Sequence, residues 1–166
     1  MHRAALLFAV ILAGHRVATY AFAGPADAKS GAVFIEAKPD QLAWGPAPAG
    51  LPAGAQAVVL EGDPAKTGYF ALRLKAPAGY KIMPHTHPGV ERVTVLEGTL
   101  YLGMGGTWDE AALKPYPAGS YFSIPKGHKH FGYFKDGGIL QLASLGPWGI
   151  QYIHPSDDPR RKQATP

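Results

Sequence analysis

Two histidines and a glutamate stand close together in the segment GYKIMPHTHPGVERVTVLEG, residues 79–98. His85 and His87 are two positions apart, and Glu91 follows four positions later. Strand side chains alternate in direction, so these three share a face if the chain runs extended through them. Two imidazoles and a carboxylate form most of the ligand set of a divalent metal site. An isolated His-x-His can equally be a polar turn, and this segment alone leaves both interpretations open.

A second cluster, in GSYFSIPKGHKH at residues 119–130, strengthens the metal interpretation. His128 and His130 follow a Pro-x-Gly turn and precede an apolar run. The two have the same parity along a strand, so alternation alone allows either to join the first cluster.

The two segments resemble the two signature motifs of the cupin superfamily. The first motif is Gly, five residues, His-x-His, three or four residues, Glu, six residues, Gly; it is matched by Gly79, His85, His87, Glu91 and Gly98. The second is Gly, five residues, Pro-x-Gly, two residues, His, three residues, Asn. It is matched by Gly119, Pro125, Gly127 and His130, with Phe134 in place of Asn.

The resemblance implies a jelly-roll β-barrel that holds one divalent metal ion through His85, His87, Glu91 and His130. Neutral imidazoles with one carboxylate suit iron, manganese, nickel or zinc, and the pattern does not choose among them. Glu91 is also the candidate catalytic base. The motif spacing selects His130 over His128, which is expected nearer the rim, with a substrate-binding, proton-donating or merely structural role.

Three further residues are candidate substrate contacts. Phe134 has the parity of His130 and would make the cavity more apolar than the Asn-bearing pattern. Gln141 interrupts an apolar strand and Arg73 interrupts YFALRLK, although each can instead be an outward-facing polar side chain. Aromatic walls are expected from Tyr101, Trp108, Tyr121, Phe122 and Trp148. Such a site favours a neutral or aromatic molecule over a small dianion.

Short apolar runs separated by glycine and proline predict the elements that position these residues. Strands are expected at AVVLEG, YFALRLKA, ERVTVLEG, TLYLGM, SYFSIP, HKHFGYF, GILQLASL and GIQYIH. Only TWDEAALK, residues 107–114, predicts a helix, with Asp109 as its cap and Pro115 as its stop. Many short strands without an internal repeat predict one all-β barrel over residues 58–154, followed by a flexible tail at 155–166.

The N-terminal segment has the pattern of an export signal. A basic head with Arg3 precedes an apolar run at 4–14 that is too short to span a bilayer. Ala21 and Ala23 form an A-x-A site, so residues 1–23 are predicted to be a signal peptide cleaved after Ala23. An uncleaved anchor or a buried helix is the alternative.

Residues 24–57 are rich in Ala, Gly and Pro and predict an extended arm, with VFIE at 33–36 as an edge strand.

Composition narrows the function. The absence of cysteine excludes disulfides, thiol catalysis and zinc-thiolate sites. The chain has 16 basic and 12 acidic residues; without Arg3 and Arg16 the balance is 14 to 12, or +2. That weak excess argues against nucleic acid and against a membrane surface as partners. A periplasmic or secreted protein is expected.

The sequence therefore predicts a metal-dependent enzyme of the dioxygenase or decarboxylase type acting on a small molecule. The alternative is a periplasmic module that binds a small molecule or a metal without turnover, because one scaffold hosts both. A homodimer is expected, since exposed edge strands invite pairing and the resemblance to small cupins implies the same.

Overall fold

The computed structural model describes residues 34–162, so the predicted signal peptide and the start of the arm lie outside the described residues. The strands are β1 Gly45–Pro46, β2 Gln56–Glu61, β3 Gly68–Thr86, β4 Glu91–Met104, β5 Lys114–Pro117, β6 Tyr121–Ile124, β7 His130–Gly146 and β8 Gln151–Tyr152. Short 3-10 turns lie at Pro39–Gln41, Glu110–Ala112 and Pro155–Asp157, and α1 is Pro159–Lys162. Within this range no helix has the length and apolarity needed to cross a membrane.

Three long strands build the barrel, and β7 lies between β3 and β4. The antiparallel order is β1-β2-β3-β7-β4-β5, with β6 paired to β4 and β8 paired to β3. The register shifts between Ile82 and His85 on β3 and at two places on β4, between 95 and 101. Such irregularities bend a strand, so one strand can follow the curved wall. This is the all-β jelly-roll barrel that the sequence predicted.

The core forms where alternate residues of the long strands point inward. Phe70, Val95 and Phe134 are fully buried, and Leu140 and Leu142 extend the same core along β7. Burying one such side chain contributes about 1.5–3 kcal/mol to folding.

Several predicted short strands are parts of longer ones. Residues 91–98 and 99–104 form the single strand β4, and residues 138–145 continue the strand that begins at His130. The glycines expected to end these strands lie within them: Gly98 pairs with Gly138, next to a register shift. A glycine inside a strand commonly marks such a bulge or bend.

The predicted helix at 107–114 is wrong, although its predicted cap is present. Only Glu110–Ala112 forms a 3-10 turn, and the Asp109 carboxylate accepts a hydrogen bond from the Ala111 backbone N–H at 2.9 Å. The reason is that Lys114–Pro117 pairs with β4 as an edge strand, which leaves no room for a helix.

The edge strand predicted at VFIE is not formed by its described residues, 34–36. Phe34 is 86% exposed, so this stretch buries little apolar surface that would favour pairing. Among residues 34–162, strand pairing begins at β1. Beyond β1, the arm is held to the barrel by two tyrosines: Tyr80 Oη donates to the Pro52 carbonyl at 2.7 Å, and Tyr152 Oη donates to the Gly50 carbonyl at 2.9 Å.

Candidate metal centre

Four buried polar side chains meet at one end of the long strands. His85 lies near the end of β3 and is the register partner of His130, the first residue of β7. His87 lies in the turn after β3, and Glu91 is the first residue of β4. Each is less than one tenth exposed. The structure therefore brings together all four residues that the motif spacing selected as metal ligands.

Their donor atoms point at one another. His85 Nε2 and His87 Nε2 are 3.1 Å apart, and Glu91 Oε2 lies 3.1 Å from His130 Nε2 and 3.7 Å from His87 Nε2. One ligand nitrogen from each of the three histidines lies within 4.8 Å of the other two. Donors at this separation can surround one ion at the roughly 2.0–2.2 Å typical of metal–nitrogen and metal–oxygen bonds.

The hydrogen bonds made by Nδ1 of the three histidines determine which ring nitrogen carries the proton. The Nδ1 atoms of His85, His87 and His130 are hydrogen-bonded to the carbonyl oxygens of Met83, Gly149 and His128, at 2.7, 2.7 and 2.9 Å. A carbonyl only accepts, so Nδ1 carries the proton and Nε2 presents a lone pair. Lone pairs facing each other across about 3 Å repel unless a cation lies between them. The donor set therefore fits a divalent metal ion, with outer hydrogen bonds of the kind that orient metal-bound histidines.

Burial favours the neutral form of the His85 and His87 imidazoles. Desolvation lowers the pKa of His85 well below its ordinary value, and the neighbouring His130 and His87 lower it further. Desolvation also lowers the pKa of His87, although the Glu91 carboxylate opposes that shift. Neutral imidazole is the form that binds metals. The rings of His85 and His87 are thus prepared to act as ligands near neutral pH.

A narrow cavity of about 40 Å³ adjoins His85, Glu91 and His130. Its other walls are almost entirely apolar and include Leu100, Phe122, Phe134 and Leu140. Among the described residues, no lysine or arginine lines it. Phe134, predicted to share the face of His130, is fully buried and lies in this wall.

The other predicted substrate contacts are not brought to this cavity. Arg73 and Gln141 are register partners on β3 and β7, and Arg73 Nε donates to Gln141 Oε1 at 3.2 Å. Gln141 follows Leu140, which lines the cavity, so strand alternation directs Gln141 to the opposite face. His128 precedes β7 and its side chain is exposed, because the strand begins only at His130.

The predicted aromatic walls are divided. Phe122 lines the cavity, whereas Tyr121 is 62% exposed. Trp108 packs against Phe131 and Tyr133 on the barrel wall, and Tyr101 packs against Tyr133. Trp148 lies outside the cavity lining but stacks on the ring of His87. No pattern in the sequence predicts that contact, because it depends on how the turn after β7 folds back.

A jelly-roll barrel with these two histidine segments and a buried three-histidine cluster defines a cupin. The sequence model of the ChrR cupin-like domain family matches residues 34–148, more than half of the chain. The chain therefore belongs to this cupin family. No curated protein matches it.

Solved structures show the same fold at low sequence identity. The polyketide cyclase RemF from Streptomyces resistomycificus is 14% identical with a TM-score of 0.60, and the match covers 81% of this chain and 95% of that one. An acetylacetone dioxygenase from Acinetobacter johnsonii is 18% identical with a TM-score of 0.58, covering 75% and 81%. An RmlC-like cupin from Shewanella frigidimarina is 20% identical with a TM-score of 0.53, covering 67% and 90%.

Proposed function

We propose that this chain is a metal-dependent cupin enzyme of the dioxygenase or decarboxylase type, with one metal ion held by His85, His87, His130 and Glu91. The observation that carries the proposal is the tautomer pattern. Three Nε2 lone pairs and a carboxylate meet beside a cavity whose other walls are almost entirely apolar. Iron, manganese, nickel and zinc all suit this donor set.

When bound, such an ion supplies Lewis-acid polarisation of a substrate or of oxygen. The protein residues have separate tasks around it. The three histidines hold position because their Nδ1 protons are bound to fixed backbone carbonyls. Glu91 is the one acidic residue that lines the cavity, so its carboxylate can take a proton from a substrate carbon or hydroxyl.

The cavity determines the class of substrate in this proposal. Its small volume admits a compact molecule, and its apolar wall favours a body of few polar groups. With no lysine or arginine among its described lining residues, a dicarboxylate would have no partner for its second charge. A small neutral molecule with one or two oxygen donors fits best. The acetylacetone dioxygenase of the same fold is named for a molecule of this kind.

The test is turnover by the reconstituted protein. The metal-stripped protein is loaded separately with Fe(II), Mn(II), Ni(II) and Zn(II), and then offered small diketones, keto acids and phenols. We expect oxygen uptake with the small neutral diketones, or carbon dioxide release from the keto acids, with at least one metal. Absence of turnover for every pair of metal and substrate would contradict the enzyme proposal.

A non-catalytic binding module is the second candidate, and the narrowness of the cavity favours it. A space of about 40 Å³ holds little more than a few water-sized groups unless the wall moves. Calorimetry separates the two functions. A binding module would take up metal or a small molecule with measurable heat and release that molecule chemically unchanged.

Export and pairing complete the proposal. The mature chain would begin at Gly24 in the periplasm or outside the cell, as N-terminal sequencing of protein from its natural source would test.

A homodimer would cover the edge of β2, where β1 pairs only with residues 56–57 and Val59 is half exposed. Light scattering that gives the mass of a monomer at micromolar concentration would remove the dimer.

A further inference from the structure

One of the four proposed ligands is not carried by a strand. His87 belongs to residues 87–90, the segment between β3 and β4 that we call the ligand loop. His85 and His130 are held by ladder pairing, and Glu91 by its place in β4. The ligand loop lacks such pairing, so the orientation of the His87 ring must come from contacts made by other parts of the chain.

The turn that follows β7 supplies two of these contacts. The indole of Trp148 stacks on the His87 imidazole, with the ring centroids 4.3 Å apart and the planes 15° from parallel. The carbonyl oxygen of the next residue, Gly149, accepts a hydrogen bond from the His87 Nδ1–H at 2.7 Å. Stacking restricts the tilt of the imidazole, and the hydrogen bond restricts its rotation.

Trp148 is itself fixed in place. Its backbone N–H donates to the Pro64 carbonyl at 2.7 Å, and its indole packs against the fully buried Phe70 at a centroid distance of 5.7 Å. The indole therefore connects the barrel core to the His87 ring. Movement of His87 away from the other donors would have to disturb that packing.

The end of β7 provides the third contact. Ser144 is 1% exposed, and its hydroxyl donates to the Val90 carbonyl at 2.7 Å. Gly89 passes so close to this strand that a Cβ atom there would lie 2.9 Å from Ser144 Oγ and 3.2 Å from the Leu145 carbonyl oxygen. The missing side chain at Gly89 thus lets the loop lie against β7, directly before Glu91.

We propose that Trp148 and Ser144 are positioning residues that hold the ligand loop, and that they thereby set the affinity and geometry of metal binding. Neither supplies a ligand atom in this proposal; each acts through His87 or through the backbone that leads to Glu91. The inference rests on the metal site proposed above but not on any catalytic activity. Removing an outer contact of this kind weakens metal binding about 10–100-fold in known sites.

Cobalt(II) is the probe, because its visible spectrum reports ligand number and geometry while a chelator competition gives its affinity. The variants are Trp148→Leu, Trp148→Phe and Ser144→Ala. Trp44→Leu is the matched control. Trp44 is also a partly buried tryptophan, but it lies in the N-terminal arm, where the Lys75 ammonium group is placed over its ring. Urea unfolding of each metal-free variant shows whether it remains folded.

We expect Trp148→Leu to lose about tenfold or more in cobalt affinity and to change the spectrum. Trp148→Phe keeps a flat ring and should retain most of both. Ser144→Ala should show a smaller loss in the same direction, and Trp44→Leu should match the wild type. If Trp148→Leu does not fold, the Ser144→Ala measurement decides, because a loss is also expected there.

Wild-type affinity and spectrum in folded Trp148→Leu and Ser144→Ala would overturn the positioning role while leaving the metal site intact. An equal loss in Trp44→Leu would also overturn it, since the effect would then be general destabilisation. If the wild type itself binds no cobalt, that result would contradict both the proposed metal site and the positioning role inferred from it.

Discussion

Glu91 and His130 approach to 3.1 Å between Oε2 and Nε2, although the two are not register partners in the sheet. Glu91 pairs with Ile124 on β6, whereas His130 pairs with His85 on β3 and with Met104 at the far end of β4. The two side chains therefore meet across the barrel interior. The donor set is completed only when the barrel closes, so metal binding should depend on each donor and on the folded state.

Replacing His85, His87 or His130 by alanine should each reduce metal affinity by more than about 100-fold. The reason is that a lost ligand costs more than a lost outer contact, which already costs about 10–100-fold. Metal content of the purified variants, measured by elemental analysis after equal loading, gives the result. Far-ultraviolet circular dichroism checks that each variant keeps its strands.

His128→Ala is the control for this series. The side chain of His128 is exposed, and the group that contacts His130 is the backbone carbonyl, which alanine retains. We expect its metal content to equal that of the wild type. A His128→Ala protein without metal, beside a His130→Ala protein that keeps it, would show that the ligand assignment is wrong.

Glu91→Gln should separate metal binding from turnover. Glutamine keeps the size of the side chain but removes the negative charge and the ability to accept a proton. We expect about a tenfold loss of metal affinity but a loss of about 10²–10⁴ in turnover, the usual contribution of a general base. Glu97→Gln, an exposed position of the same strand, should change neither. Equal losses of affinity and turnover in Glu91→Gln would argue against a role as base.

The sequence was informative where chemistry and spacing coincide. His85, His87, Glu91 and His130 were identified from the motif, and the structure brings them together because β3, β4 and β7 all begin or end at the same site. Arg73 and Gln141 were candidates only because polar residues interrupt apolar strands. They pair with each other on the opposite face, an outcome that residue type alone cannot decide.

Other features depend on the backbone path and carried no signal in the sequence. The carbonyls that fix the three histidine tautomers belong to Met83, His128 and Gly149, and every residue has a carbonyl. The parity argument for His128 did not hold, because β7 begins two residues later. The stack of Trp148 on His87 arises from a turn whose direction no periodicity describes.

Two motif glycines offer a matched test of backbone requirements. Gly79 and Gly98 both have positive φ, +76° and +73°. A Cβ at Gly79 would meet nothing within 4 Å, whereas one at Gly98 would overlap the Gly137 carbonyl oxygen. Gly79→Ala should therefore lower the free energy of unfolding by about 1–2 kcal/mol, the cost of placing an L-residue in the left-handed backbone conformation. Gly98→Ala should lose more, about 3 kcal/mol or above. Urea titration measures both, and equal losses would contradict the proposed overlap.

The metal-stripped protein should lose stability as the pH falls through the histidine range. Burial lowers the pKa of His85 and of His87 in the folded state, against an ordinary value of 6.5. Below about pH 6.5 the unfolded chain binds protons on these rings and the folded protein does not. By linkage, stability is then fully present above the unfolded pKa and decreases on acidification, by at most about 1.4 kcal/mol per pH unit for each histidine.

Urea unfolding in the presence of a chelator, at steps from pH 8 to pH 5.5, measures this slope. The carboxyl groups of Asp63, Glu110 and Asp158 have pKa values lowered below ordinary values of 3.8 to 4.5, so their contribution falls below this window. His85→Asn keeps a polar side chain without a titrating ring and should flatten the slope, whereas His128→Ala should leave it unchanged. Stability that stays constant or rises between pH 7.5 and pH 5.5 would mean that the buried histidines take up protons in the folded protein. The neutral donor set proposed for the metal would then be wrong.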